Sequence, residues 1–185
     1  MAVRRIIATT GLPGAGKALF SEVAVCYGCP IYVCGDIVRE ETMKRGMPLT
    51  PSNMGAVMLK IREEDGPAVI SKRLIPKIDM SECDVALVEG VRSLEEVEEL
   101  RRRYGKVTVV AIHASPQVRY ERLEARGRED DPKTWQEFET RDLRELNVGL
   151  GKTIALADEF VVNEGTIEEL QAYALALLRE ILLCE

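Results

Sequence analysis

The sequence predicts an α/β fold in which five parallel strands form one sheet with helices on both of its faces. Five short apolar stretches, four of them nearly continuous runs of β-branched residues, alternate along the 185-residue chain with segments of helical spacing. Such alternation is typical of parallel strands, because parallel neighbours are joined by a long, usually helical, crossover. The length suits a single domain, and an apolar content of 46% is ample for a packed core.

The first half of the chain supplies three strands. We predict strands over 3–9, 31–34 and 85–88, and helices over 17–27, 36–46, 51–79 and 94–103. Thr50 and Pro51 are a typical helix start, because threonine caps the helix and proline is tolerated in its first turn. An interruption is expected near Gly66, which precedes a proline.

The second half supplies the last two strands. We predict strands over 107–112 and 159–162, and helices over 116–125, 135–146 and 166–183. Thr166 and Glu169 have the spacing of a capping box. Gly149 and Gly151 are expected to break the chain. Trp135 is expected to pack its helix against neighbouring elements, and His113 is expected to be a hydrogen-bonded residue at the end of a strand.

The strongest chemical signal is the segment 11–17, which fits the pattern G-x-x-x-x-G-K. It lies between the first predicted strand and the first predicted helix, as phosphate-binding P-loops do. Glycines let the backbone curl so that its N–H groups face phosphate oxygens, and Lys17 would reach the β- and γ-phosphates. The predicted nucleotide-binding residues of this segment are Gly11, Pro13, Gly14, Ala15, Gly16, Lys17 and Ala18.

Residue 18 departs from the complete motif. A serine or threonine there would bind Mg²⁺ through its hydroxyl group, and Ala18 has none. Either the metal is held through water and other carboxylates, or the protein binds nucleotide with weakened catalysis. Thr153 ends a Gly-Lys-Thr sequence that resembles the missing ending, but neither a glycine five residues earlier nor a strand precedes it.

Acidic and basic side chains follow two of the predicted strands. Asp36 and Arg39 come after the strand 31–34, and Glu89 and Arg92 come after the strand 85–88. Carboxyl ends of parallel strands form the edge where open α/β sheets bind ligands. Glu89 fits the second metal-binding carboxylate of P-loop enzymes, and arginine pairs with phosphate through two hydrogen bonds. The alternative is that the two arginines are solvated surface residues.

The segment 119–145 mixes arginines with carboxylates. Its arginines include Arg119, Arg122, Arg126, Arg128 and Arg141, and Asp130 and Asp131 lie among them. A helix followed by a short arginine-rich loop suits a lid that closes over a triphosphate, with the aspartates orienting the guanidinium groups. The alternative is an exposed helix that carries many charges.

Composition excludes several classes of protein. A net charge of −6 argues against a general nucleic-acid binder, which is normally basic, although arginine outnumbers lysine by 17 to 8. The sequence has neither an apolar run long enough to span a membrane nor a recognisable signal peptide, so a cytoplasmic protein is expected. Five cysteines are an odd number for a disulfide framework. Cys26 and Cys29 are expected to be small buried side chains, with a local disulfide as the alternative.

Taken together, these segments resemble adenylate kinase and the other nucleoside-monophosphate kinases. The resemblance rests on the loop 11–17, on Gly35-Asp36-x-x-Arg39, on Glu89-Gly90-x-Arg92, on Gly127-Arg128-x-Asp130-Asp131 and on Arg141. The segment 157–165 also resembles dephospho-coenzyme A kinase. Over nearly its whole length the chain is similar to an archaeal family of P-loop kinase-like proteins related to adenylate kinase.

The resemblance implies a three-layer P-loop NTPase fold with a helical acceptor-binding flap near 36–80 and a short lid near 126–145. It implies that Gly14, Gly16 and Lys17 hold ATP phosphates. It implies that Arg39 and Arg92 face the acceptor, and that Arg122, Arg128 and Arg141 face the transferring phosphoryl group. The loop from Asn163 to Gly165 is similar to the loop on the adenine side of these kinases. The flap differs in length and sequence, so AMP specificity does not carry over.

We therefore expect a phosphotransferase that moves the γ-phosphoryl group of ATP, or of GTP, to a small nucleotide-like or other small-molecule acceptor. The expected catalytic residues are Lys17, Asp36, Arg92, Arg128 and Arg141, with Mg²⁺ held by Glu89 through water. Asp36 would bind or deprotonate the acceptor. Ala18 motivates the alternative, a nucleotide-binding regulatory protein with weak or no ATPase activity. The tail 182–184 is a candidate contact in a homodimer.

Overall fold

The computed structural model describes residues 3–183, and these contain one sheet of five strands. The strands are β1 (Arg5–Thr10), β2 (Ile31–Val33), β3 (Val85–Glu89), β4 (Lys106–His113) and β5 (Glu159–Val162). They lie in the order β2-β3-β1-β4-β5, and every neighbouring pair is parallel. The predicted α/β fold with a parallel sheet is therefore confirmed.

Helices connect these strands throughout the described part of the chain. They are α1 (Lys17–Val25), α2 (Cys34–Lys44), α3 (Pro51–Asp65), α4 (Val69–Asp79), α5 (Leu94–Tyr104), α6 (Pro116–Arg126), α7 (Trp135–Asn147), α8 (Leu150–Ala155) and α9 (Ile167–Leu183). Thr50 caps α3 by accepting a hydrogen bond from the N–H of Asn53, and Gly66 separates α3 from α4, both as predicted. None of the helices described is long and apolar enough to cross a membrane.

The short helix α8 is a correction to the sequence analysis, which expected Gly149 and Gly151 to break the chain. Gly149 has a φ of 109° and is the N-cap of α8, so it redirects the backbone into a new helix. Gly151 lies inside that helix. Burial of Leu150 and Thr153 against the rest of the protein stabilises this one short segment despite its glycine.

The boundary between β2 and α2 also differs from the prediction. The strand was expected to include Cys34, but Cys34 is the first residue of α2. Val33 is extended, with φ −96° and ψ 118°, so the chain passes from strand to helix without an intervening loop. Asp36 therefore lies in the first turn of α2, where a carboxylate interacts favourably with the helix dipole.

Two apolar layers cover the faces of the sheet. On one face, Ile6, Ala8 and Val88 pack against α2, α3, α4 and α5. On the other face, Ile7 and Leu87 pack against α1 and α9. Successive strand residues point to opposite faces, so both faces of the central strands are buried, as expected for a parallel sheet between two helical layers.

The four cysteines within residues 3–183 do not gather into one cluster. Cys26, Cys29, Cys34 and Cys83 are free thiols, and Cys29 and Cys34 lie in the apolar layers on opposite faces of the sheet. Cys26 is exposed, so the expectation that it is buried is wrong, because it is the C-cap of α1 and lies in the turn after that helix. No group of three histidine, cysteine or acidic side chains within residues 3–183 is placed to hold a metal ion. Cys184, part of the tail considered for a homodimer, lies outside the described residues.

Candidate active site

A cleft of about 950 Å³ opens at the carboxyl edge of the sheet. It lies between the loop after β1, the start of α2, the end of β3, the helices α6 and α7 and the loop before α9. Its basic lining residues are Lys17, Arg39, Arg92, Arg122, Arg126, Arg128 and Arg141, and its acidic ones are Glu22, Asp36, Glu89 and Asp130. A protein with a net charge of −6 thus has a locally basic cleft, as its excess of arginine predicted.

Most residues predicted to form the site line this cleft. They are Pro13, Gly14, Gly16, Lys17, Ala18, Asp36, Arg39, Glu89, Arg92, Arg122, Arg128, Arg141 and Asn163. Gly11, Ala15 and Gly165 are not among the lining residues. Each of these three instead offers its carbonyl oxygen to a side chain that does line the cleft.

Two long-range hydrogen bonds fix the backbone of the P-loop. Arg119 donates from Nη1 to the carbonyl oxygen of Pro13 at 3.1 Å, and Asn163 donates from Nδ2 to the carbonyl oxygen of Ala15 at 2.8 Å. These contacts hold carbonyl groups of the loop away from a bound anion. The first-turn N–H groups of a helix have no helical partner, and the N-cap of α1, Gly16, provides no side-chain cap. The loop is therefore suited to phosphate oxygens.

Glycine is required at Gly11, where a Cβ would lie 2.2 Å from the carbonyl oxygen of Ile112, and at two further positions of the loop that touch its anchoring residues. Gly14 and Gly16 have φ values of 82° and 105°, a region that other residues rarely adopt. A Cβ on Gly14 would lie 2.6 Å from the carbonyl oxygen of Arg119, and a Cβ on Gly16 would lie 2.3 Å from Nδ2 of Asn163. The same residues that anchor the loop thus exclude a side chain at these positions.

Lys17 is half-buried at the base of the cleft. Its ammonium group donates to the carbonyl oxygens of Gly11 at 2.7 Å and Leu12 at 3.1 Å. Desolvation by burial, assisted by the positive charge of Arg92, lowers the pKa of Lys17 to about 8. Neutral carbonyl groups compensate a buried charge only in part, so an anion beside Lys17 would be strongly favoured.

The donor set for a metal ion is sparse. Ala18 lines the cleft with a methyl group, and Glu89 is the half-buried carboxylate at the end of β3. Asp36 lies elsewhere in the same lining. These side chains do not form a metal site by themselves, but they fit an Mg²⁺ ion whose ligands are mainly nucleotide oxygens and water.

The arginines on the side of the cleft formed by α2 and β3 are held in ion pairs. Arg39 pairs with Asp36 at 2.6 Å. Arg92 forms a hydrogen-bonded ion pair with Glu145 of α7 and donates to the carbonyl oxygen of Gly90 at 3.1 Å. Although burial opposes ionisation, Arg92 holds the pKa of Glu145 below its ordinary value. Both arginines are therefore positioned before any ligand binds.

The loop between α6 and α7 forms a second group of ion pairs. Asp131 is buried and accepts hydrogen bonds from Nη2 of Arg126 at 2.5 Å and from the N–H of Arg128 at 3.0 Å. Arg141 lies 3.4 Å from Asp131 and 3.7 Å from Asp130. Burial opposes ionisation of Asp131, but the hydrogen bond from Arg126 holds its pKa below the ordinary value. The aspartates orient the guanidinium groups, as expected from the sequence.

The far end of the cleft joins α6 to the loop before α9. Arg122 donates from Nη1 to the carbonyl oxygen of Asn163 at 3.1 Å and from Nη2 to that of Gly165 at 3.3 Å. Thr166 and Glu169 form the predicted capping box of α9, with mutual hydrogen bonds of 2.9 and 3.2 Å. Arg122 and the 163–165 loop therefore act as one structural unit.

Arg119 is placed differently from the other arginines of its segment. Its side chain is 2% exposed and pairs with Asp142 of α7 through both terminal nitrogens. It does not line the cleft, so neither expectation for its segment, a lid over a triphosphate or an exposed charged helix, describes Arg119. Helical spacing offered a signal, because Arg119 lies one turn before Leu123, a core residue of α6.

Some contributions to the site were not predicted. Glu145 was counted only as one of many acids, yet it is buried against Arg92. Glu22 lines the cleft without belonging to any motif, and Thr166, predicted only as a helix cap, lines it too. Trp135 packs against Tyr120 at 5.2 Å, which confirms its predicted packing role.

His113 lies apart from these groups. Its exposed ring stacks on that of Phe160 at 6.0 Å, and it is not a lining residue of the cleft. Its carbonyl oxygen accepts a hydrogen bond from the N–H of Asn163 at 2.7 Å. The residue therefore contributes backbone geometry at the end of β4.

Comparisons with known proteins agree with this architecture. A family model described as an AAA domain matches residues 10–139. A UPF0200 protein of Hyperthermus butylicus is 49% identical over 175 residues, which cover 95% of this chain and 94% of the relative. A UPF0200 protein of Pyrococcus abyssi is 44% identical over 181 residues, covering 96% of this chain and 97% of the relative.

Solved structures share the fold at low sequence identity. A gluconokinase from Sinorhizobium meliloti superposes with a TM-score of 0.59 at 20% identity, covering 98% of this chain and 95% of that one. A shikimate kinase from Aquifex aeolicus gives a TM-score of 0.53 at 20% identity, covering 97% and 99%. The chain therefore belongs to the AAA domain family and, with its archaeal relatives, to the UPF0200 proteins, which have a P-loop kinase-like fold.

Proposed function

We propose that this protein transfers the γ-phosphoryl group of ATP or GTP to a small-molecule acceptor. The observation that supports this most directly is the convergence of a P-loop and six arginine side chains on one cleft. A protein that only held a nucleotide would need the loop but not arginines on the opposite wall. Guanidinium groups on both sides of a phosphoryl group are typical of enzymes that transfer it.

The P-loop would bind the nucleotide phosphates in this proposal. Its backbone is already fixed by Arg119 and Asn163, so little conformational freedom is lost on binding. The ammonium group of Lys17 would exchange the carbonyl oxygens of Gly11 and Leu12 for oxygens of the β- and γ-phosphates. That exchange gives a desolvated cation the negative partner that it lacks in the free protein.

The opposite wall would hold the acceptor and the phosphoryl group in transfer. Arg39 and Asp36 would orient the acceptor, with Asp36 binding it or accepting its proton. Arg92, Arg128 and Arg141 would donate hydrogen bonds to the charge that spreads over the phosphoryl oxygens. Mg²⁺ bound with the nucleotide would supply further neutralisation of phosphate charge, and Glu89 would hold it through water.

Two segments would close over the bound substrates. The predicted flap, residues 36–80, corresponds to α2, α3 and α4 beside the acceptor wall. The predicted lid, residues 126–145, contains the Arg128 loop and most of α7. Closure of both would exclude water, which favours transfer to the acceptor over hydrolysis.

Replacing Lys17 by alanine tests the nucleotide site. We expect Lys17→Ala to weaken ATP binding by roughly 100-fold, because a buried charge-assisted contact is worth up to about 3 kcal/mol, and to abolish phosphoryl transfer. Calorimetric titration with ATP and Mg²⁺ measures the first effect. Lys152→Ala, at an exposed lysine of the Gly-Lys-Thr sequence in α8, is the matched control and should bind ATP normally. Unchanged ATP affinity in Lys17→Ala would contradict the assignment.

Ala18 supports a second candidate function, a nucleotide-binding regulator with little turnover. Ala18→Ser restores the hydroxyl that a complete P-loop offers to Mg²⁺. If the wild-type protein is an enzyme adapted to Ala18, the variant should change turnover by less than about threefold. A tenfold or greater gain in turnover lowers the activation barrier by about 1.4 kcal/mol or more. Such a gain, together with tighter Mg²⁺ binding, would favour the regulator. Phosphate release at varied Mg²⁺ concentration distinguishes the two outcomes.

A further inference from the structure

A small cavity lies beside the main cleft, between α2, α3 and α7. Its volume is about 60 Å³, and its charged lining consists of Arg39, Arg92, Arg141, Arg144, Asp130 and Glu145. It shares Arg39, Arg92, Arg141 and Asp130 with the main cleft, so a ligand in the cleft can extend a group into it. One water molecule takes about 30 Å³ in the liquid, so the cavity has room for a group of only a few atoms.

Arg144 of α7 differs from the other arginines around this cavity. Arg39, Arg92 and Arg141 each pair with a carboxylate, whereas Arg144 forms no ion pair with any residue of the range 3–183. Its Nε is buried without a hydrogen-bond partner, and its Nη1 reaches only the carbonyl oxygen of Pro51 at 3.5 Å. Arg144 is half-buried, but a buried guanidinium nitrogen without a hydrogen-bond partner is costly unless a ligand provides one.

The charges around Arg144 make its lack of a negatively charged partner more costly. Desolvation by burial lowers the pKa of Arg144, and although Glu145 raises it, the charges of Arg141 and Arg92 lower it further. Glu145 is already committed to Arg92 by a hydrogen bond. The local charge therefore favours an added anion.

The facing helix is shaped around this side chain. Gly55 lies inside α3, where glycine is less favourable than alanine. A Cβ at that position would lie 2.1 Å from Nη1 of Arg144, 2.5 Å from its Cζ and 2.9 Å from its Nε. Gly55 thus leaves the space that the guanidinium group occupies, which indicates that α3 and α7 are fitted to hold it here.

We propose that this cavity binds an oxyanion of the acceptor, a carboxylate or a phosphate, and that Arg144 is its specificity-determining contact. The inference rests on the proposed function and narrows it to acceptors that are themselves anionic. An oxyanion here would accept hydrogen bonds from the guanidinium of Arg144 while the reacting end of the acceptor lies beside Asp36. A neutral acceptor would leave Arg144 unpaired, so the site discriminates against it.

Two small anions serve as probes of this cavity. The full chain is first saturated with a non-hydrolysable ATP analogue and Mg²⁺, so that the P-loop is filled, and is then titrated calorimetrically with inorganic phosphate or with malonate. We expect one of the two anions to bind with a stoichiometry of one per chain. Which of them binds more tightly identifies the acceptor group as a phosphate or as a carboxylate.

The variants connect that binding to Arg144. Arg144→Gln should weaken binding of the anion at least tenfold and should change the affinity for the ATP analogue by less than twofold. Arg144→Lys keeps the charge but not the forked arrangement of hydrogen-bond donors, so it should lose less affinity for the anion than Arg144→Gln. Gly55→Ala should displace the guanidinium group and reproduce the loss, so the test remains decisive if Arg144→Gln does not fold. Arg102→Gln, at a side chain 69% exposed on α5, is the control and should bind like wild type.

Two results would overturn the proposal. One is that neither anion binds the wild-type protein, and the other is that both bind Arg144→Gln as tightly as wild type. Failure of the proposed function is recognised separately, because either the ATP analogue would not bind or the wild-type protein would transfer no phosphoryl group from ATP to any anionic acceptor. If the analogue does not bind, the anion titration is performed without it, and an Arg144-dependent affinity would still establish the anion site.

Discussion

The two ends of the cleft are held in place by different means. At the P-loop end, residues 11–18, side chains from elsewhere in the protein fix the backbone of the loop. At the arginine end, carboxylates fix most of the functional side chains, which are Arg39, Arg92, Arg128 and Arg141. The P-loop holds its conformation through Arg119 and Asn163, which bind its carbonyl oxygens. Within the loop, the N–H of Ala15 donates to the carbonyl oxygen of Leu12 at 3.2 Å, so a phosphate need displace only this one weak contact there. The arginine end is held by ion pairs, and a ligand must share or replace these partners.

This difference predicts how each end responds to its ligand. Ion pairs at the mouth of a cleft are partly exposed and are weakened by salt, whereas backbone N–H groups are not. Binding at the arginine end exchanges one set of charge-assisted hydrogen bonds for another, so its net affinity depends on small differences. If the proposed function is right, the P-loop end would supply affinity for the nucleotide, and the arginine end would supply selectivity for the shape and charge of the group transferred.

Arg119 connects the two ends. It donates to Pro13 in the P-loop and pairs with Asp142 on α7, the same helix that carries Arg141, Glu145 and Arg144. Its guanidinium also stacks on the ring of Phe138 at 4.8 Å. This buried side chain therefore joins α7 directly to the P-loop, beside the contacts that Glu145 and Trp135 make with other elements.

Removing this connection should have the largest effect on stability. Arg119→Met leaves Asp142 and the Pro13 carbonyl without their donor, and breaking a buried pair from one side costs about 3–5 kcal/mol. Equilibrium unfolding in denaturant measures the change. Arg101→Met is the control, because Arg101 and Asp158 form an ion pair that is 44% and 45% exposed and should contribute under about 1 kcal/mol.

A second variant separates the lost charge pair from lost packing. Arg119→Met combined with Asp142→Leu replaces both partners by apolar side chains, and such replacements of buried pairs are often close to neutral. The double variant should therefore recover much of the stability. It still lacks the hydrogen bond that fixes the P-loop at Pro13, so its ATP affinity should remain reduced. Equal losses of stability in Arg119→Met and Arg101→Met would show that the two ends are not connected in this way.

The P-loop end could be predicted from the sequence because its information is contiguous. The segment 11–17 contains the glycines, the lysine and the loop length in one stretch, and the flanking strand and helix have clear periodicity. The same applies to Asp36 and Glu89, since a residue just after a parallel strand has its position fixed by the sheet. The local sequence is therefore sufficient to place a site residue that directly follows a strand of the parallel sheet.

The arginine end was only partly predictable because its pairs join residues that are distant in sequence. Arg92 and Glu145 are 53 residues apart, and Arg119 and Asp142 are 23 apart. Which acid meets which arginine depends on the rotation and tilt of α7, and α7 is charged on several sides. The contact between Gly55 and Arg144 could not be inferred at all, because neither residue belongs to a motif and they meet only through helix packing.

The P-loop end also makes a smaller, pH-dependent prediction that the arginine end does not share. Lysine has an ordinary pKa of 10.5, and burial lowers that of Lys17 to about 8 in the free protein. Between these values the unfolded chain binds more protons at this residue than the folded one, so its contribution to stability rises with pH. Below pH 8 the buried ammonium is charged and the contribution is at its minimum.

Nucleotide binding should reverse this shift, because phosphate charge beside Lys17 favours its protonated form. Binding of ATP at pH 8.5–9.5 should then take up close to one proton, and affinity should fall by up to about tenfold per pH unit in that range, with little change between pH 6.5 and 7.5. Calorimetry in two buffers of different ionisation enthalpy measures the proton uptake. Lys17→Arg, which stays charged throughout, should remove both the uptake and the slope. An affinity in the wild-type protein that is flat from pH 7 to 9.5 would mean that Lys17 keeps its proton in the free state, and the burial of its charge would then be compensated already by the carbonyl oxygens of Gly11 and Leu12.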